Sequence, residues 1–532
     1  MEQLEKYFDI AFAAPEGIKK LRQLILTLAM QGKLVPQDPN DQPASALLQE
    51  IETEKSKMVK AGKFRESKPL PQVNLDGVPH QLPIGWIWVR NSFLFNLKKG
   101  KVPHDLQKSE GSIPYLDIEA LDKGNIRRYT NDQKTPQATD KDILVVCDGS
   151  RSGLILAGKN GAIGSTLSII ETPLFLQPFV NLIFKAGYVR FNSSMKGAAI
   201  PHLDIQKLLY EVTGLPPLAE QKRIVARIDQ LMARCDELEK LCAERDKKRL
   251  TVHISALNRL FEAQGNESFT DAWQFINKHF RELYSVKANV TELRKAILQL
   301  GVMGKLVPQD PNDQPASALL QEIETEKSKM VKAGKFRESK PLPQVNLDGV
   351  PHQLPIGWIW VRNSFLFNLK KGKVPHDLQK SEGSIPYLDI EALDKGNIRR
   401  YTNDQKTPQA TDKDILVVCD GSRSGLILAG KNGAIGSTLS IIETPLFLQP
   451  FVNLIFKAGY VRFNSSMKGA AIPHLDIQKL LYEVTGLPPL AEQKRIVAKI
   501  DQLMAMCDEL EKQIDATADK QSALLNALMA KR

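Results

Sequence analysis

EVTGLPPLAEQKRIVARIDQLMARCDELEK, residues 211–240, is where one kind of structure gives way to another. Val212–Leu215 ends a β-branched run, and Pro216 and Pro217 break it. Proline suits the first turn of a helix, where its missing N–H needs no partner. No glycine or proline follows until Gly265, and Ile224, Ile228, Leu231, Cys235, Leu238 and Cys242 are spaced 4-3-4-3-4. Leu250, Ile254, Leu257 and Phe261 resume that face after a charged break. This is a heptad seam. Roughly 45 helical residues at 1.5 Å each would reach about 70 Å. The competing reading is an ordinary amphipathic helix that covers a core.

The stretch recurs at residues 483–512 with Ile496, Ile500, Leu503, Cys507, Leu510 and Ile514 on the seam. It belongs to a larger duplication: Gly32–Ala226 reappears letter for letter as Gly304–Ala498, an offset of 272 residues. Similarity fades outward, through Leu21, Arg22 and Ile25 against Leu293, Arg294 and Ile297. The period is far too long for a solenoid, whose repeats run to roughly 20–50 residues, so this is domain duplication. Each seam is too long to hide against its own domain. Packed on each other and antiparallel, the two would form a rod with one strand-rich domain at each end, related by an approximate two-fold axis.

Working back from Glu211, the texture from about Asp76 is that of a mixed domain. WIWV, SFLFNL, DILVVC, GLILAG, STLSII and FVNLIF each suit a strand, separated by Gly, Pro, Asn and Asp. Residues 15–70 read as helices, with Ile18, Leu21, Leu24, Ile25 and Leu28 at helical spacing and prolines at 36, 39 and 43 marking a loop. The expected organisation is a helical segment 1–75, a strand-rich domain 76–216, a central helical region 217–347, a second strand-rich domain 348–488 and a final helix 489–532.

Composition places the chain among soluble globular proteins. No apolar run approaches the roughly 18 residues of a membrane span, and the acidic N-terminus does not resemble a secretory signal, so a cytoplasmic location is expected. Cys147, Cys235, Cys242, Cys419 and Cys507 form no CxxC pair, which fits reduced thiols and no structural metal. The net charge of +11 and pI near 9.1 permit a polyanionic partner without requiring one.

Motifs of catalysis are missing. There is no GxxxxGK[ST] phosphate loop, no HExxH, no GxSxG and no Asn/Asp-Pro-Pro-aromatic string. An enzyme reading therefore lacks its residues, and no cofactor or metal is expected on this chain. The glycines of DGSRSG and GKNGAIGS read as turns needing positive φ, or as places where a phosphate backbone could approach. What remains is a set of basic and polar loops whose side chains are those that bond base edges and phosphates. In the first copy these are Lys98, Lys99, Lys101, Lys123, Asn125, Arg127, Arg128, Tyr129, Lys134, Ser150, Arg151, Ser152, Lys159, Asn160 and Lys196. In the second they are Lys370, Lys371, Lys373, Lys395, Asn397, Arg399, Arg400, Tyr401, Lys406, Ser422, Arg423, Ser424, Lys431, Asn432 and Lys468. Individually, each is more often a solvated surface group. Trp86, Trp88, Phe93, Phe95, Phe175, Phe179 and Phe184 read as core.

The order LPIGWIWV, PYLDIEALDKGNI, ILVVCDGSRSG and KGAAIPHLDIQKLLYEVTGLPPLAEQKRIVARID, then a long helix, then all of it again, resembles the specificity (S) subunits of type I restriction-modification enzymes. The resemblance implies an α+β fold: two mixed α/β target recognition domains separated by a long antiparallel helical coiled-coil spacer with pseudo-two-fold symmetry. It implies a non-catalytic chain that reads a bipartite double-stranded DNA target. Two methyltransferase (M) subunits would dock on it, and restriction (R) subunits through them, with S-adenosylmethionine, ATP and magnesium on those partners. A type IIB-like recognition subunit is the alternative. Family members usually carry two different recognition domains. Here they are identical, so a palindromic target is expected.

Overall fold

The computed structural model describes residues 14, 16–64, 73, 78, 80–108, 111–193, 202–263, 266–336, 345–346, 350, 352–380, 384–465 and 474–530. The chain divides into two compact units, Met1–Arg245 with Ala518–Arg532, and Asp246–Thr517.

The first unit opens with helices α1 (Gly17–Met30) and α2 (Ala44–Lys60). Leu24, Ile25 and Ala29 of α1 and Leu47 and Ile51 of α2 are buried, as their helical spacing requires. Gly32 stops α1: its φ is +66°, and a Cβ there would lie 2.4 Å from Pro83. The mixed domain follows, in the order β1 (Ile87–Arg90), α3 (Asn91–Leu94), β2 (Asn96–Lys99), β3 (Ile113–Leu116), α4 (Ile118–Asp122), β4 (Tyr129–Thr130), β5 (Gln137–Ala138), β6 (Ile143–Val146), β7 (Ile155–Ala157), β8 (Gly161–Ile163), β9 (Leu167–Glu171), α5 (Gln177–Ser193), α6 (Ile205–Tyr210) and β10 (Val212–Leu215). Helix α7 (Leu218–Glu262) then leaves the domain.

The strands form an antiparallel sheet β2-β9-β6-β7, a mixed sheet β4-β3-β8-β5 and the pair β1-β10. That pair, Ile87 against Leu215, brings the domain's entry and exit together. Side chains alternate across a strand, so β6 sorts its residues into two cores. Leu144 and Val146 join Leu116, Ile163, Leu167 and Ile169 between the sheets. Val145 and Cys147 join Phe95, Phe179, Phe184 and the helices on the other face. Two strand expectations are corrected here. FVNLIF lies in helix α5, and the first half of SFLFNL forms the single turn α3, with Asn96 and Leu97 opening β2. A short continuous apolar run has no period to separate a buried strand from a buried helix.

Ile224, Ile228 and Cys235 of α7 are buried with Ile25 and Ala29 of α1. Arg22 of α1 pairs with Asp236 at 2.7 Å and Glu239 at 3.0 Å on α7. The opening turns of the seam thus cover the core of their own unit, as the amphipathic alternative required. Leu238 and Leu241 are 40% and 50% exposed. The face buried further along overlaps the expected one only in part: Leu257 is buried and Phe261 packs against the core, but His253, Ala256 and Leu260 also turn inward while Ile254 is 40% exposed. Those turns pack in the second unit's core with Ile276, Leu283, Tyr284, Ile297 and Cys507, and these neighbours shift the buried stripe.

The second unit adds α8 (Asn266–Lys278), α9 (Phe280–Leu283), α10 (Lys287–Val302) and α11 (Ala316–Lys332). It then repeats the mixed domain as β11 (Ile359–Arg362), α12 (Asn363–Leu366), β12 (Asn368–Lys371), β13 (Ile385–Leu388), α13 (Ile390–Asp394), β14 (Tyr401–Thr402), β15 (Gln409–Ala410) and β16 (Ile415–Val418). The repeat finishes with β17 (Ile427–Ala429), β18 (Gly433–Ile435), β19 (Leu439–Glu443), α14 (Gln449–Ser465), α15 (Ile477–Tyr482), β20 (Val484–Leu487) and the long α16 (Leu490–Ala530). Sheet orders are those of the first copy. Helix α16 belongs to the second unit through Thr517 and to the first from Ala518, where Lys20 donates to Asn526.

One half-buried cation gives each unit a pH signature: Lys55 on the carbonyls of Ser92 and Phe93 in the first, and Lys327 in the second. Lys327 of α11 donates to the carbonyls of Ser364 and Phe365 at 3.3 and 3.1 Å, over the rings of Phe336 and Phe365. Burial pushes its ammonium down to about 8 from 10.5. The unfolded chain holds that proton to higher pH, so unfolding takes up a proton between those values, and stability rises with pH across the window. Urea unfolding should show this slope, and Lys327→Met together with Lys55→Met should flatten it. An unchanged slope would count against the assignment.

A candidate nucleic-acid interface

The basic loops are distant in sequence, but the fold knits them into one polar surface. Lys99, at the end of β2, lies 3.3 Å from Asp148 of the β6–β7 loop. Lys101 lies 3.3 Å from Asp132, beyond β4. Arg151 pairs with Asp122 of α4 at 2.9 Å. Lys159 donates to the carbonyl of Ala120 at 3.2 Å. The second copy repeats the set: Lys371 with Asp420 at 3.3 Å, Lys373 with Asp404 at 3.4 Å, Arg423 with Asp394 at 2.9 Å, and Lys431 on Ala392 at 3.2 Å.

Two more cations are held on acids of α4 and its cap. Arg127 pairs with Glu119 at 2.9 Å, and Arg399 with Glu391 at 2.8 Å. Arg128 bonds Asp117 at 2.6 Å and lies over the Tyr115 ring, with Arg400, Asp389 and Tyr387 alike. Against the cost of partial burial, the Ala120 N–H and Arg128 hold the Asp117 carboxyl below the usual range. Asp132 is held low by the Thr135 hydroxyl, the Lys134 N–H and Lys101. These carboxylates stay ionised and fix the cations beside them. The surface is therefore a lattice of oriented charges, which suits recognition by geometry better than bulk attraction.

Lys98, Lys123, Asn125, Lys134, Ser150 and Asn160 are exposed, as are Lys370, Lys395, Asn397, Lys406, Ser422 and Asn432. Tyr129 and Tyr401 are half-buried, with backbones paired to Gln107 and Gln379. Ser152 and Ser424 are the correction. Both are fully buried, and each hydroxyl donates at 2.8 Å to the carbonyl of Gly149 or Gly421, so they shape the loop from inside. Lys196 and Lys468 lie outside the described residues.

The glycine strings divide. Gly149 and Gly153 of DGSRSG have φ of +101° and +89°, as a tight turn demands. Gly158, Gly161 and Gly164 of GKNGAIGS are not left-handed; a Cβ there would lie 2.2 Å from the Thr139 carbonyl, 2.5 Å from that of Pro114 and 2.7 Å from the Tyr115 hydroxyl. Those glycines serve close packing of the mixed sheet. Sequence reasoning missed the acids that organise the surface, and it missed His202 and His474, whose rings bond Asp148 and Asp420 at 2.6 and 2.7 Å. No local string announces a partner 54 positions away.

Among the described residues, no group of three His, Cys, Asp or Glu is gathered as for a metal, and no helix is long and apolar enough to cross a membrane.

Comparison with known proteins gives one consistent result. The model of the type I restriction modification DNA specificity domain matches twice, at residues 83–244 and 355–519. The specificity subunit of the type I restriction enzyme EcoAI from Escherichia coli is 31% identical, across 96% of this chain and 93% of its own length. That of EcoEI, also from Escherichia coli, is 31% identical over the same shares. A solved chain of a type I R-M system is 18% identical, covering 84% of this chain and 98% of its own length with a TM-score of 0.45.

Proposed function

We infer the function of this chain from its family: it belongs to the type I restriction modification DNA specificity proteins. We propose that it is the sequence-reading subunit of such a complex. Residues 76–216 and 348–488 would each read one half of a bipartite double-stranded target. The helical segments 1–75, 217–347 and 489–532 would set the distance between the readers and dock methyltransferase subunits, and restriction subunits through them. Methyl transfer, ATP use and cleavage then belong to the partners, with their S-adenosylmethionine and magnesium, and this chain contributes recognition alone.

The loop residues named above are the proposed DNA contacts. Phosphate contacts fix register, while base contacts specify sequence. Arg151 and Arg128, held in place by carboxylates, suit base edges. The exposed lysines at 98, 123 and 134 suit the backbone.

The observation that carries the reading is that the two strand-rich domains, 76–216 and 348–488, are letter-for-letter copies, each largely inside one match to the DNA specificity domain. Identical readers select identical half-sites. Two such readers in mirrored orientation would select an inverted repeat around a nonspecific gap. Mapping methylated bases in a genome that carries the system tests this. The expected motif is palindromic and interrupted; an asymmetric motif would refute the proposal.

A further inference from the structure

His202 is held twice over. Its backbone bridges Asp148, and the next N–H, of Leu203, bonds the Cys147 carbonyl at 2.8 Å. Its ring Nδ1 lies 2.6 Å from Asp148 Oδ1, while Asp148 Oδ2 faces Lys99 at 3.3 Å. The ring is nonetheless 51% exposed, beside a carboxylate only 16% exposed. His474 repeats this with Asp420 at 2.7 Å and Lys371 at 3.3 Å, its ring 52% exposed.

Fixing a solvated ring costs side-chain entropy, and one hydrogen bond at the surface returns little net stability. The arrangement makes sense as preparation for a partner, since a side chain already in place loses less freedom on binding. In the neutral ring, the tautomer with its proton on Nδ1 is the one that bonds the carboxylate. Nε2 is left as an acceptor for a group from outside. Acceptors in the major groove meet the amino groups of adenine and cytosine.

We propose that His202 and His474 each read one base position of the half-site through Nε2, with Asp148 and Asp420 as positioning residues. This rests on the DNA-reading function above and adds a specificity determinant to it.

The duplication supplies the control. The full chain is used to enrich targets from a library of random duplexes, and the wild type should return two equal half-sites. His202→Ala should remove the preference at one position of one half, by about tenfold, and leave the other half intact. Asp148→Ala should affect that same position, and His202→Ala with His474→Ala should affect both halves at mirrored positions. An unchanged motif overturns the inference. So does uniform weakening with a reduced salt dependence, which is the mark of a phosphate contact. Should His202→Ala erase a whole half-site, His202→Phe, which keeps a ring on the surface, decides between the same outcomes. A wild-type chain that enriches no motif would instead remove the DNA-reading function itself.

Discussion

Replacing Glu492 by alanine is expected to destabilise the second unit by about 2–5 kcal/mol, the cost of two buried donors left without an acceptor and of the cavity the side chain vacates. Glu492 sits in the first turn of α16 and is 1% exposed. Both of its oxygens are in use: Oε2 accepts from the Trp358 indole N–H at 2.9 Å, and Oε1 from the Gln309 amide at 3.1 Å. Alanine would leave two donors without an acceptor and open a cavity beside Trp358, itself only 6% exposed. Glutamine keeps one acceptor but aims an amide N–H at a donor, so Glu492→Gln should cost about 1–2 kcal/mol. The cluster joins the start of the long helix to the β11–β20 pair and to the loop after α10, so the helix loses its anchorage to the domain it leaves. Chemical denaturation of the full chain measures the loss, and amide hydrogen exchange should place it in the second unit. The first unit keeps Glu220 on Trp86 at 2.9 Å and on Gln37 at 2.8 Å as the reference. A change within about 1 kcal/mol of wild type would show that the cluster is dispensable.

That cluster also shows what a sequence can and cannot reveal. The duplication, the long helix after Pro217 and the mixed domain before it are legible because each is a local pattern repeated over many residues. Glu492 looks like one of many helix-surface acids until Trp358, 134 positions earlier, is brought against it. The same holds at the interface. Lys99, Lys101, Arg127, Arg128 and Arg151 are visible as basic loop residues, but their acids lie on other loops or on α4 and its cap, and Ser152 reads as exposed although its hydroxyl turns inward. Periodicity fails in the same way where a run is uniformly apolar, as in α5, or where a helix passes from one set of neighbours to another. Leu238 and Ile254 fit the heptad by spacing, yet each is 40% exposed, because burial depends on what stands opposite.

The stretch of α7 between Cys235, buried in the first unit, and His253, buried in the second, is where a change of length should alter function without disturbing a core. The matching position in α16 follows Gln513, since both helices pass from one unit to the other. Inserting one heptad after Leu241 and another after Gln513 is expected to abolish tight binding to the natural target. The same half-sites should then be selected at a wider spacing. Seven helical residues add about 10 Å, roughly three base pairs of rise. Three base pairs also turn the duplex by about 100°, since a full turn takes 10–10.5 base pairs. The two readers would no longer meet the same face of DNA without twisting it, so the new complex should be weaker than the natural one. Three heptads in each helix add about 32 Å, close to the 34–36 Å of a full turn, and should restore both tight binding and phase. An insertion in α7 alone leaves α16 too short and should destabilise the chain. Selection from random duplexes with each variant reads the spacing and the half-site separately. A half-site that changed with helix length, or a spacing that did not, would end the view that these helices measure the target.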